Sequence, residues 1–176
     1  MRDTEHEGGF SLIEVLIAII LVGLAVMCLV ASNSSFTKAN AAGTELSTAE
    51  FLAEQIRELT ILLPVVDPET EMSTFGPEAD EAGLADYDDL DDFDGIMGNG
   101  MTFSPPISAD RATLNEFAGY SQQVTVENVS AGDFEQVVAD HSSANPRYFF
   151  RVTTKVLLNS KEITSASWVR AWYEEQ

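Results

Sequence analysis

Gly8-Gly9-Phe10-Ser11-Leu12-Ile13-Glu14-Val15-Leu16-Ile17-Ala18-Ile19-Ile20-Leu21-Val22-Gly23-Leu24 opens the apolar run on which the architecture of this chain turns. The 22 residues from Phe10 to Ala31 carry one charge, Glu14, and Val15 to Thr37 carry none. A helix needs about 20 apolar residues to cross the hydrocarbon core, so the run predicts a transmembrane helix over 10–31. A secretory signal peptide would place basic residues before the run and a small-residue cleavage site after it. Here Arg2 stands against Asp3, Glu5 and Glu7, and the alanines are diffuse. A simple anchor accounts for the length but not for Glu14, because a carboxylate inside a span is costly unless it lies near the interface or finds a partner. No positive charge lies nearby in the sequence. An α-amino group on a neighbouring copy, freed by a cut between Gly9 and Phe10, would neutralise it.

Beyond the span the helix is expected to continue to Leu63, with Leu46, Ala49, Leu52, Ala53, Ile56, Leu59, Thr60 and Leu63 on one stripe. Glu54 and Arg57 sit at i, i+3 on the polar side. Pro64 stops the helix. Gly23, Gly43 and Ser32-Asn33-Ser34-Ser35 are candidate flexible points along it. Residues 64–118 read as an acidic, loop-rich region, punctuated by Gly98-Asn99-Gly100 and Pro105-Pro106, with a short helical turn within 110–117. Residues 119–176 read as antiparallel sheet. Tyr120, Gln122, Val124 and Val126 alternate with polar neighbours, 134–139 is a weaker strand, and 147–158 and 162–173 form a hairpin across Asn159-Ser160-Lys161. Trp168 and Trp172 are expected to pack on that sheet. The fold class is α+β: a long N-terminal helix on a three- or four-stranded antiparallel sheet.

Charge and composition exclude several functions. The chain has 9 Lys plus Arg against 29 Asp plus Glu, a net −20 that repels phosphate backbones, so no nucleic-acid partner is expected. One cysteine, Cys28, and two histidines, His6 and His141, cannot build an ordinary structural zinc site or an intramolecular disulfide. Asp140-His141-Ser142-Ser143 is a polar loop rather than a triad, which needs spatial geometry. No enzymatic motif is present, and the chain is not expected to be an enzyme.

The segment from Gly8 to Ala18 resembles the prepilin processing motif of type IV pilins and type II secretion pseudopilins. The resemblance covers about 25 residues. It implies a leader, 1–9, cut after Gly9 by a prepilin peptidase, with N-methylation of Phe10. It also implies that Glu14 pairs with the amino terminus of an adjacent subunit during assembly. The implied partners are other pilin or pseudopilin subunits, the peptidase/methyltransferase, an inner-membrane assembly platform and the membrane. The implied location is the bacterial inner membrane, crossed once with the C-terminal domain periplasmic, and then a periplasmic or cell-surface filament. The leader is acidic apart from Arg2, and Ala31 stands near the place where many major pilins carry a proline. Removing Arg2, Asp3, Glu5 and Glu7 with the leader takes 9 basic and 29 acidic residues to 8 and 26, a net −18. Such charge crowds in a dense fibre, which favours a minor, initiating, tip or adhesion subunit over the repeating bulk. A minor pseudopilin of a type II secretion system is the alternative.

Between Asp67 and Gly95 lie 12 carboxylates and no Lys or Arg. Asp86-Tyr87-Asp88-Asp89-Leu90-Asp91-Asp92-Phe93-Asp94 packs six of them into nine residues. It does not fit the EF-hand register. Three readings stand: a solvated acidic loop, a calcium site drawing on Asp88, Asp89, Asp91, Asp92 and Asp94, or a surface for a basic partner. No other cofactor is expected. Residues 87–95 also resemble an acidic stretch of MshD-like minor pilins of mannose-sensitive haemagglutinin pili.

Overall fold

Helix α1 (Leu12–Leu62) begins where the apolar run begins and stops two residues before Pro64. It belongs to a computed structural model that describes residues 9–65, 67, 75–78, 80, 81, 83–95, 98–138 and 149–172. Five strands follow: β1 (Met101–Phe103), β2 (Tyr120–Ser130), β3 (Asp133–Val137), β4 (Phe149–Leu158) and β5 (Lys161–Ala171). The chain divides into two units, Met1–Thr44 and Glu45–Gln176.

In the first unit every described residue is exposed. Its helical part holds an 18-residue window of mean hydropathy 3.0, long and apolar enough to span a membrane. The helix is unbroken at Gly23, Gly43 and Ser32–Ser35, so none of the candidate flexible points interrupts it. Its hydroxyls turn back on the helix: Ser35 donates to the Ala31 carbonyl, Thr37 to Asn33 and Thr44 to Asn40.

In the second unit one face of α1 packs on the sheet. Ala49, Leu52, Ala53, Ile56, Leu59 and Thr60 are all buried, as their spacing predicts. Two members of the expected stripe differ: Leu46 is 42% exposed, and Leu63 is only partly buried and lies one residue past the helix end. Glu54 and Arg57 meet at 2.9 Å on the solvent side. The sheet is antiparallel in the order β1-β2-β4-β5, with β3 paired to β2. Among the described residues five strands are thus present where three or four were expected; β1 is the addition, in a stretch read as irregular. It pairs Met101 with Val124 and Phe103 with Gln122. The β2 alternation extends past Val126 to buried Asn128. In β4, Phe150, Val152, Thr154 and Val156 face inward. Burying side chains such as Leu52, Ile56, Phe93 and Phe150 contributes roughly 1.5–3 kcal/mol each.

The β4–β5 turn is two residues, Asn159-Ser160, both with positive φ (50° and 67°), between paired Leu158 and Lys161. A bulge between Val156 and Leu157 in this ladder leaves Ile163 without an opposite residue, and Ile163 packs beside Val156. Trp168 and Trp172 both lie against the main core.

Candidate functional site

Two places gather side chains that packing alone does not explain, one in each unit.

The first is the start of α1. Ser11 caps it: the Glu14 N–H reaches Ser11 Oγ at 3.3 Å, and the Ser11 carbonyl accepts from Glu14 and Val15. Ser11-Leu12-Ile13-Glu14 therefore has capping-box spacing, a local signal for the helix start that the sequence itself carries. The cap fixes where the helix begins and leaves Phe10, 84% exposed, immediately outside. Phe10, Glu14, Val15, Ala18, Ile19 and Val22 line one shallow apolar groove on this helix face. Among the described residues the Glu14 side chain has neither an ion pair nor a hydrogen bond. A lone carboxylate on an otherwise apolar, exposed helix can do one chemical thing well: accept a cation that arrives from elsewhere. Gly9 is the first described residue, and positions 1–8 of the expected leader lie outside the described ones, as does His141.

The second is the 3-10 turn Asp91–Asp94. The solvated-loop reading fails here, because Asp89, Asp91, Asp92 and Asp94 are 2%, 6%, 1% and 3% exposed. Tyr87, Leu90 and Phe93 recur every third residue and insert into the core beside Phe103, Val124 and Val126. They carry the intervening aspartates inward with them. Most of these carboxylates then serve backbone N–H groups. Asp89 Oδ1 accepts from Asp91 and Asp92, Asp92 Oδ2 from Asp88 and Asp89, Asp91 Oδ2 from Gly76, and Asp94 Oδ1 from Val126. Burial, with the neighbouring negative charges, pushes Asp89 up to about 9, Asp91 to about 7 and Asp92 to about 8. Of the five aspartates expected at a calcium site, only Asp92 joins a group of converging ligand atoms among the described residues. Its companions are Glu78 and Glu81, which the sequence reading left out.

A family model described as the prokaryotic N-terminal methylation motif matches residues 6–28. No curated protein and no solved structure gives a match to the chain. The motif and the α+β architecture of a long apolar helix on an antiparallel sheet support the type IV pilin and pseudopilin family, whose members are membrane-anchored, assembling structural subunits.

Proposed function

We propose that this chain is a minor subunit of a type IV pilin-like filament, acting in initiation, at the tip or in adhesion, of the kind that MshD-like minor pilins represent. A prepilin peptidase cuts between Gly9 and Phe10 and the new Phe10 amine is methylated. The apolar part of α1 first holds the subunit in the inner membrane, with the C-terminal unit on the periplasmic side. An inner-membrane assembly platform then moves it into the filament, where Glu14 receives the amino terminus of a neighbour. The observation that carries this reading is Glu14, without a side-chain partner among the described residues, on an exposed apolar helix that starts two residues after the candidate cleaved end at Phe10. The net −18 of the cut chain supports the minor role, since like charges would repel in a fibre made of this subunit alone.

The test is intact-mass and amino-terminal peptide mass spectrometry of the full chain co-expressed with a prepilin peptidase. Loss of Met1 to Gly9 with one methyl group on Phe10 is expected. An uncut chain, beside a control substrate that is cut, overturns the reading. Copurification with the other minor subunits of one machine then separates pilus from secretion system.

A further inference from the structure

We propose that Glu78, Glu81 and Asp92 bind a hard divalent cation, calcium by size and ligand preference, which ties the segment following α1 to the Asp91–Asp94 turn. The site stands independently of the filament reading. One carboxylate oxygen from each of the three residues lies within 4.8 Å of the others. Around calcium, with bonds of 2.3–2.6 Å, ligand oxygens stand up to about 5 Å apart, so the three fit one coordination shell.

The second observation is an orphaned atom. Asp92 is 1% exposed, its Oδ2 is taken by the Asp88 and Asp89 N–H groups at 3.0 and 3.1 Å, and its Oδ1 has no hydrogen-bond partner. A buried carboxylate oxygen left this way is costly, and such atoms call for an ion or water. Among the described residues no lysine or arginine forms an ion pair with Glu81 or Asp92. Arg111 donates to the Leu84 and Ala85 carbonyls instead.

Glu81 is already oriented. Its Oε2 accepts the Glu78 N–H at 2.9 Å and its Oε1 the Asp88 N–H at 3.3 Å. The Glu81 and Asp92 carboxylates are within hydrogen-bonding reach of each other, a contact that either a shared proton or a cation must hold. Three carboxylates and no nitrogen or sulfur ligand disfavour zinc. Magnesium prefers a tighter octahedron that keeps several waters.

Tyr87 supplies a built-in reporter. It is 6% exposed, and its hydroxyl lies in the field of Asp92 and Glu81, which together with burial raises its pKa. The experiment uses the full chain in detergent micelles, stripped with chelator and titrated with terbium under tyrosine excitation. Sensitised emission that calcium displaces is expected, weakened in Tyr87→Phe without loss of calcium affinity. Calcium affinity by calorimetry is expected to fall at least about tenfold in Glu81→Gln and Glu78→Gln, and magnesium to bind more weakly than calcium. Asp92→Asn tests the orphaned oxygen; should it not fold, the two glutamate variants, at partly exposed positions, decide alone. Absence of calcium binding at millimolar calcium means that a shared proton holds the pair, and overturns the proposal. Binding unchanged in both glutamate variants, or emission undiminished in Tyr87→Phe, places the ion elsewhere and overturns it equally.

Discussion

The side-chain amide of Gln122 pairs with the backbone of Ile107 in both directions. Its Oε1 accepts the Ile107 N–H at 2.7 Å and its Nε2 donates to the Ile107 carbonyl at 3.1 Å. The same Nε2 reaches the Leu52 carbonyl at 2.8 Å, so one fully buried amide joins β2, the segment after β1 and α1. Gln122→Ala strips Ile107 of its partner and opens a cavity. Leaving a buried group unsatisfied costs about 1–3 kcal/mol, and with the lost packing a total near 3 kcal/mol is expected. Unfolding of the full chain in detergent, followed by the near-ultraviolet signal of Trp168 and Trp172, measures it. A midpoint equal to that of the unaltered chain contradicts the assignment.

Arg170 closes the other end of α1. Its two Nη atoms donate to the Thr60 and Leu63 carbonyls, among the groups that a helix end leaves without intrahelical partners. The last turn has no basic residue of its own, so β5 supplies the positive charge that the negative end of the helix favours. Burial lowers the pKa of this guanidinium from its usual value, yet it stays protonated at neutral pH. Charge-assisted bonds of this kind contribute about 1.5–3 kcal/mol, so Arg170→Ala is expected to lose about 2 kcal/mol. Arg170→Lys recovers only part, because an ammonium lacks the planar fork that serves both carbonyls. Full recovery in the lysine variant, measured by denaturant midpoint, would rule out the two-pronged cap.

The Asn159-Ser160 turn predicts a change of opposite sign. Both residues have left-handed φ, which costs an ordinary L-residue roughly 1–2 kcal/mol and asparagine less. Ser160→Gly removes that strain and gains some unfolded-state entropy in exchange. A net stabilisation of about 0.5–1 kcal/mol is expected, visible as a higher unfolding temperature. A lower unfolding temperature would mean that the Ser160 side chain contributes something the turn geometry does not reveal.

What could be read from the sequence was whatever the chain encodes locally. The stripe from Ala49 to Thr60, the stop at Pro64, the alternation from Tyr120 to Val126 and the β4–β5 hairpin each follow from a period or a turn signal within about ten residues. Strand β1 does not: three residues are too few to show alternation, and only its register against β2 makes it a strand. Gly100 marks the place, since a Cβ there would collide with the Val124 carbonyl oxygen. The buried aspartates escaped for a different reason. Composition treats six clustered carboxylates as solvated, because burying them is ordinarily costly. The contrary signal was the recurrence of Tyr87, Leu90 and Phe93 at i, i+3 and i+6, a 3-10 spacing that pulls its neighbours into the core. Glu78 and Glu81 could not have been joined to Asp92 at all without the tertiary fold. At the amino terminus, by contrast, residues and resemblance pointed to the same candidates, Gly9, Phe10 and Glu14, because all three lie within six consecutive residues.

Glu14 carries the last prediction. Its helix does not depend on it: the Ser11 oxygens make the cap, so Glu14→Gln and Glu14→Ala should leave α1 intact. Cleavage after Gly9 and methylation of Phe10 should proceed as well. Assembly should not. In the lipid-held monomer the unpaired carboxylate is a liability of a few kcal/mol, so replacing it stabilises the state that assembly must leave. If Glu14 receives the neighbouring amino terminus as proposed, the same replacement removes that acceptor in the filament. Both changes oppose assembly, and a combined shift of about 3 kcal/mol lowers the assembled fraction more than a hundredfold. Glu14→Gln separates charge from hydrogen bonding, since glutamine keeps an acceptor oxygen but not the negative charge. The measurement is the ratio of processed subunit in sheared filaments to that left in the membrane. Processed Glu14→Ala subunit assembling at the unaltered level would show that the amino terminus finds its partner elsewhere.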